Sequence, residues 1–157
     1  MRHVLALALV LLAVALAPAQ ALAQSPADRA AAFKAAGFAP KAGRYPACDP
    51  SQALEIVIRD LNGDGRPDAL ITDAGIECYG RDEVGFVIVT RDAGGGWRKL
   101  FASPGFPTLE TNRGVGGWPD ITNGGPGFCH PVMRWNGSDY VRIRWKAEQP
   151  GACAGKR

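Results

Sequence analysis

Apolar residues recur at strand spacing in two segments, 53–59 (A-L-E-I-V-I-R) and 69–73 (A-L-I-T-D), separated by a polar stretch. β-branched residues are prominent in both, so the pattern predicts two strands joined by a bend. Two hairpins follow. Residues 85–100 read G-F-V-I-V-T-R-D-A-G-G-G-W-R-K-L, and residues 131–143 read P-V-M-R-W-N-G-S-D-Y-V-R-I. Each sets a glycine-bearing turn ahead of an aromatic, Trp97 or Tyr140, that enters the return strand. Helix chemistry is confined to residues 24–38. Ser25 can cap that helix, Pro26 suits its first position, Asp28 favours its positive end, and Gly37 stops a run of helix formers over 30–36. Phe33 and Phe38 are its large apolar groups, so it is expected to cover a sheet edge or end.

The bend between the first two strands carries the most chemistry. Its nine residues, D-L-N-G-D-G-R-P-D, place Asp60, Asn62, Asp64 and Asp68 at positions 1, 3, 5 and 9 of a calcium-binding loop. Gly65 stands at position 6, where such a loop turns sharply, and Arg66 can offer its backbone carbonyl from position 7. Position 12 is Ile71 rather than the bidentate Glu of an EF-hand, and the flanks are strands, not helices. Asn-Gly and Asp-Gly also make ordinary polar turns. Three carboxylates within nine residues would, however, repel one another without a cation between them.

This loop between strands resembles the FG-GAP and VCBS repeat families, whose blades carry D-x-N-x-D-G-x-x-D. The resemblance is specific over residues 56–72 and weaker elsewhere. It implies a β-blade architecture and a Ca2+ held by Asp60, Asn62, Asp64 and Asp68. It implies no activity, because a fold of this kind hosts many functions.

A second copy lies 52 residues further on. Aligning the sequence from Asp60 with N-R-G-V-G-G-W-P-D-I, from Asn112, matches Gly65 with Gly117, Pro67 with Pro119 and Asp68 with Asp120. Gly114 and Gly116 stand where the first copy has Asn62 and Asp64, so the turn survives without most of its side-chain ligands. The expected fold is mainly β: two blade-like antiparallel β units with one N-terminal α-helix. The first repeat spans 53–100 and the degenerate second 107–146, packed face to face or as an open stack of blades.

The ends and the cysteines place this fold outside the cytoplasm. Arg2 and His3 precede an almost wholly apolar run over 4–17, and Ala21-Leu22-Ala23 supplies a cleavage site. These features predict a signal peptide over 1–23 and a single β-rich domain over 24–157, periplasmic or secreted. No later run approaches the roughly 20 apolar residues of a membrane helix. Four cysteines, at 48, 78, 129 and 153, predict two disulfides. Three pairings are possible; the hairpin about the 60–68 bend brings Cys48 and Cys78 nearly into step, which favours Cys48–Cys78 with Cys129–Cys153.

A formal net charge of +3 with intermixed signs and no basic run makes nucleic acid a poor partner. Catalytic chemistry is thin. Beyond the signal peptide His130 is the lone histidine, and its Gly/Pro-rich setting suggests a surface turn. Asp73, Glu77, Asp82 and Glu83 cluster without an identifiable partner to shift a pKa. The chain is therefore expected not to be an enzyme. Trp97, Trp118, Trp135 and Trp145 are mostly volume for a core poor in leucine. Trp118 is the exception, at the outward-pointing seventh position of the degenerate loop, and with Asp120 it is the candidate ligand contact. The expected role is a binding module for a cell-envelope glycan or protein, using the 114–120 loop and its 124–130 neighbour. An inhibitor of a secreted hydrolase, such as a lytic enzyme, is the alternative.

Overall fold

The computed structural model describes residues 25–81 and 83–156. The expected signal peptide lies outside them. Helix α1, Pro26–Ala36, starts and stops as its chemistry dictates: the Ser25 hydroxyl accepts the Asp28 N–H at 3.1 Å, and Gly37 adopts φ 105°. Gly37 and Phe38 N–H groups then close the last turn on the carbonyls of Lys34 and Phe33.

Eight strands follow: β1 Glu55–Arg59, β2 Asp68–Asp73, β3 Gly85–Arg91, β4 Trp97–Pro104, β5 Phe106–Arg113, β6 Pro119–Gly124, β7 Cys129–Trp135 and β8 Tyr140–Ala147. A one-turn helix α2, Ile76–Tyr79, links β2 to β3. The strands form two antiparallel four-stranded sheets, each in sequence order, β1-β2-β3-β4 and β5-β6-β7-β8. Arg59 faces Asp68 across the first hairpin. The disulfides are Cys48–Cys78 and Cys129–Cys153, the favoured pairing.

Strand alternation splits the core into two layers. Ala69, Ile71 and Val89 point from the first sheet to α1, where Ala32, Phe33 and Ala36 meet them. Phe33 also stacks on Tyr45, with ring centroids 4.8 Å apart. From the other face of the same sheet, Phe86 and Ile88 pack on Trp118, Ile121, Trp135 and Tyr140 of the second unit. Phe101 and Tyr140 bring the two sheets to a 5.0 Å ring contact. The order is thus helix, first sheet, second sheet, with the two sheets packed face to face. The helix covers a whole face across β2, β3 and β4 rather than a sheet edge.

The second sheet's outer face has no helix over it and mixes ion pairs with apolar groups, Val132 being buried there and Val141, opposite Arg134, 40% exposed. Asp120 pairs with Arg134 there, while Glu110 holds the Thr122 hydroxyl at 2.5 Å and Lys146 at 2.6 Å. Among the described residues no helix is long and apolar enough to cross a membrane.

Candidate metal centre

The 60–68 loop is already shaped around its own side chains. Both oxygens of Asp60 are used: Oδ1 accepts the Gly63 N–H at 2.6 Å and Oδ2 the Gly65 N–H at 2.9 Å. Gly63 and Gly65 adopt φ 82° and 81°, left-handed conformations that favour glycine. Asn62 Oδ1 accepts the Asp64 N–H at 3.1 Å, and Asp64 Oδ1 accepts the Arg66 N–H at 2.8 Å. The Arg66 guanidinium clips Asp64 at 2.5 Å and donates from Nε to the Arg91 carbonyl. Among the described residues no three His, Cys, Asp or Glu side chains gather closely enough to hold a metal.

Asp68 is the exception to this self-sufficiency. Its side chain is 0% exposed, Oδ2 accepts the Leu61 N–H at 2.9 Å, and Oδ1 has no partner. Burial pushes its carboxyl up to about 6, with Asp64 and Asp60 adding to the rise and hydrogen bonds from Thr90 and Leu61 opposing it. A buried carboxylate with an orphaned oxygen is costly unless a cation meets it. The nearby donors are carboxylate and amide oxygens, a hard set suited to Ca2+ rather than to a thiolate- or imidazole-seeking metal.

The degenerate loop meets this one directly. Arg113 Nη1 donates to the Leu61 carbonyl at 2.6 Å and to the Gly117 carbonyl at 3.2 Å. A Cβ on Gly117, whose φ is 79°, would lie 2.1 Å from the Asn62 carbonyl oxygen. Only glycine lets the two loops touch.

The two residues expected to contact a ligand are not available to one. Trp118 is 5% exposed, because its ring turns inward against Trp135 and joins the inter-sheet core. Asp120 is fully buried with both oxygens taken by Arg134, Nε and Nη2 each at 2.8 Å. The outward-pointing expectation for the seventh loop position is therefore overturned, since the second unit needs that ring as core volume.

His130 also departs from expectation: it is buried in β7, with Nε2 3.2 Å from Glu148 Oε1. Asp73 is committed to structure, accepting the Cys48 N–H at 2.8 Å and the Tyr79 hydroxyl at 3.2 Å. Asp82 lies outside the described residues.

Sequence reasoning missed two cavities between the free edges of β1 and β5. One, about 450 Å³, is lined by Glu55, Val57, Leu70, Phe106 and Pro107. The other, about 300 Å³, is lined by Arg59, Asp60, Leu61, Leu109 and Arg113, beside the loop. Val57 and Phe106 are 54% and 46% exposed. The alternation in 53–59 put Val57 on a sheet face, but nothing local shows that the face opens at the stack's edge. No family model, curated protein or solved structure matches the chain.

Proposed function

We propose that this is an exported, calcium-stabilised, non-catalytic β-domain that binds a cell-envelope glycan or protein. The observation that supports the metal is Asp68, a buried carboxylate with one oxygen unpartnered, in the same nine-residue loop as Asp60, Asn62 and Asp64. Those side chains, with the Arg66 carbonyl, are the ligand set. An ion there neutralises three carboxylates and fixes the bend between β1 and β2. With a dissociation constant in the roughly 0.1–1 mM range of extracellular modules, ion at ten times that value stabilises by about 1.4 kcal/mol. Two disulfides, each typically worth about 2–4 kcal/mol, remain the larger constraint.

Calorimetric titration with calcium of the chain from Gln24 tests the metal. One binding event that Asp64→Ala removes supports it; a flat titration overturns it. Signal cleavage is checked by mass spectrometry of the exported protein.

Recognition is assigned to the larger β1–β5 cleft, where exposed apolar Val57 and Phe106 sit with polar Glu55 and Thr72. Peptidoglycan and envelope-fraction pull-downs with Val57→Asp test this, and binding equal to wild type rejects the cleft.

The inhibitor reading draws on a different observation. Val115 is 57% exposed on a loop braced by the Gly114 N–H to Trp118 carbonyl bond, at 2.7 Å, and by Arg113. A preorganised apolar tip loses little entropy on entering an enzyme cleft. Inhibition of a lytic enzyme that Val115→Asp abolishes would favour it over the envelope module.

A further inference from the structure

The two units place the same buried aspartate in the same strand position but surround it differently. In the first unit Asp68 opens β2 and faces Thr90 on β3. In the second, Asp120 stands at the start of β6, where Ile121 pairs with Met133 and Thr122 with Val132. One step along that ladder, Asp120 comes opposite Arg134. Arg134 therefore occupies, in the second unit, the register position that Thr90 occupies in the first. Both aspartates are 0% exposed. One has a bidentate guanidinium, and the other has the Leu61 N–H on one oxygen and no partner on the second.

We infer that Arg134 is the built-in cation of the second unit, replacing with a side chain the divalent ion that the first unit takes from solution. This deepens the calcium reading of the first loop and rests on it for the comparison. Packing order explains why the exchange occurred on one side only. Asp68 projects toward the second sheet, whose Tyr140 lies close enough to feel the charge of both Asp68 and Asp120. A long arginine at Thr90, itself buried, would have to run between the sheets with its charge away from water. Asp120 projects from the last sheet, where the Arg134 side chain covers it while remaining 41% exposed. A compact ion entering through the loop suits the interior aspartate. A side chain that reaches solvent suits the terminal one. The second loop could then lose its ligands, Gly114 and Gly116 standing at the side-chain positions, and still hold its shape without an ion.

The test is a double-mutant cycle read by thermal melting, in calcium and in chelator. Arg134→Thr is expected to lower Tm by about 5–10 °C, since it leaves Asp120 buried and unpaired. Calcium should not restore the loss. Adding Asp120→Asn should recover more than half of it, because the uncompensated charge is gone. Should Arg134→Thr fail to fold, Arg134→Lys and the Asp120→Asn/Arg134→Thr pair still fold and carry the comparison. The inference is overturned if Arg134→Thr melts with the wild type, if its loss is reversed by calcium, or if Asp120→Asn gives no recovery. The last result would make Arg134 a packing residue. A wild type that ignores calcium rejects the ion in the first loop, a failure distinct from that of the Arg134–Asp120 coupling.

Discussion

The loops 60–68 and 112–120 have the same turn skeleton and opposite economies of charge. The first keeps three carboxylates and surrounds them with glycine N–H groups and one arginine clip, yet leaves a buried Asp68 oxygen unmet. The second keeps one carboxylate and meets it fully with Arg134. A repeat can thus preserve its bend while changing what neutralises it. Position in the stack decides which solution fits. The inner aspartate has a sheet over it, whereas the outer one has a partly exposed arginine over it.

The strongest way to break the comparison is to separate the loops. Gly117→Ala would set a Cβ 2.1 Å from the Asn62 carbonyl and strain a backbone at φ 79°. A loss of about 2–3 kcal/mol in denaturant melts is expected, together with weaker calcium binding. A neutral Gly117→Ala would show that the loops do not support each other.

Next in size is pH. The folded Asp68 carboxyl, at about 6, lies above its ordinary value, so the folded chain takes up a proton more readily than the unfolded one. Stability from this group is fully present below about pH 4 and is lost as pH rises through 6, a change on the order of 2–3 kcal/mol without metal. Melting in chelator between pH 4.5 and 7.5 should show this slope in the wild type and not in Asp68→Asn. Parallel curves for the two proteins would remove Asp68 from the account. Saturating calcium should flatten the wild-type slope.

Smaller still is the ion itself, about 1.4 kcal/mol at ten times its dissociation constant, seen as a rise in Tm of a few degrees. The smallest effect is Asp64→Ala in chelator. Asp64 and Arg66 form an exposed pair, so less than about 1 kcal/mol is expected while the calcium response disappears.

Much of the architecture was legible because its signals are local. Ser25, Pro26 and Gly37 delimit α1, glycine turns before Trp97 and Tyr140 set two hairpins, and hairpin register favours the Cys48–Cys78 pairing. What escaped depends on partners distant in sequence. Trp118 looked outward because a loop position alone carries no information about a sheet packing behind it. Arg134 went unnoticed beside Asp120 because the 52-residue alignment matches it with Asp82, whereas strand pairing matches it with Thr90. The connections after the two loops differ in length, and sequence alignment cannot correct for that without the strands. His130 failed similarly: its Gly/Pro-rich neighbours suggest a turn, but β7 buries it, with exposed Glu148 beside its ring.

Each end of this molecule is finished. Helix α1 occupies one sheet face, and the ion pairs Arg134–Asp120 and Lys146–Glu110 lie across the other, charges that another sheet would have to desolvate to settle there. Adding copies end on end would therefore cost the burial of those charges at one end and the loss of the helix packing at the other. Removing α1 would expose Ile71 and Val89 and should promote self-association through that face.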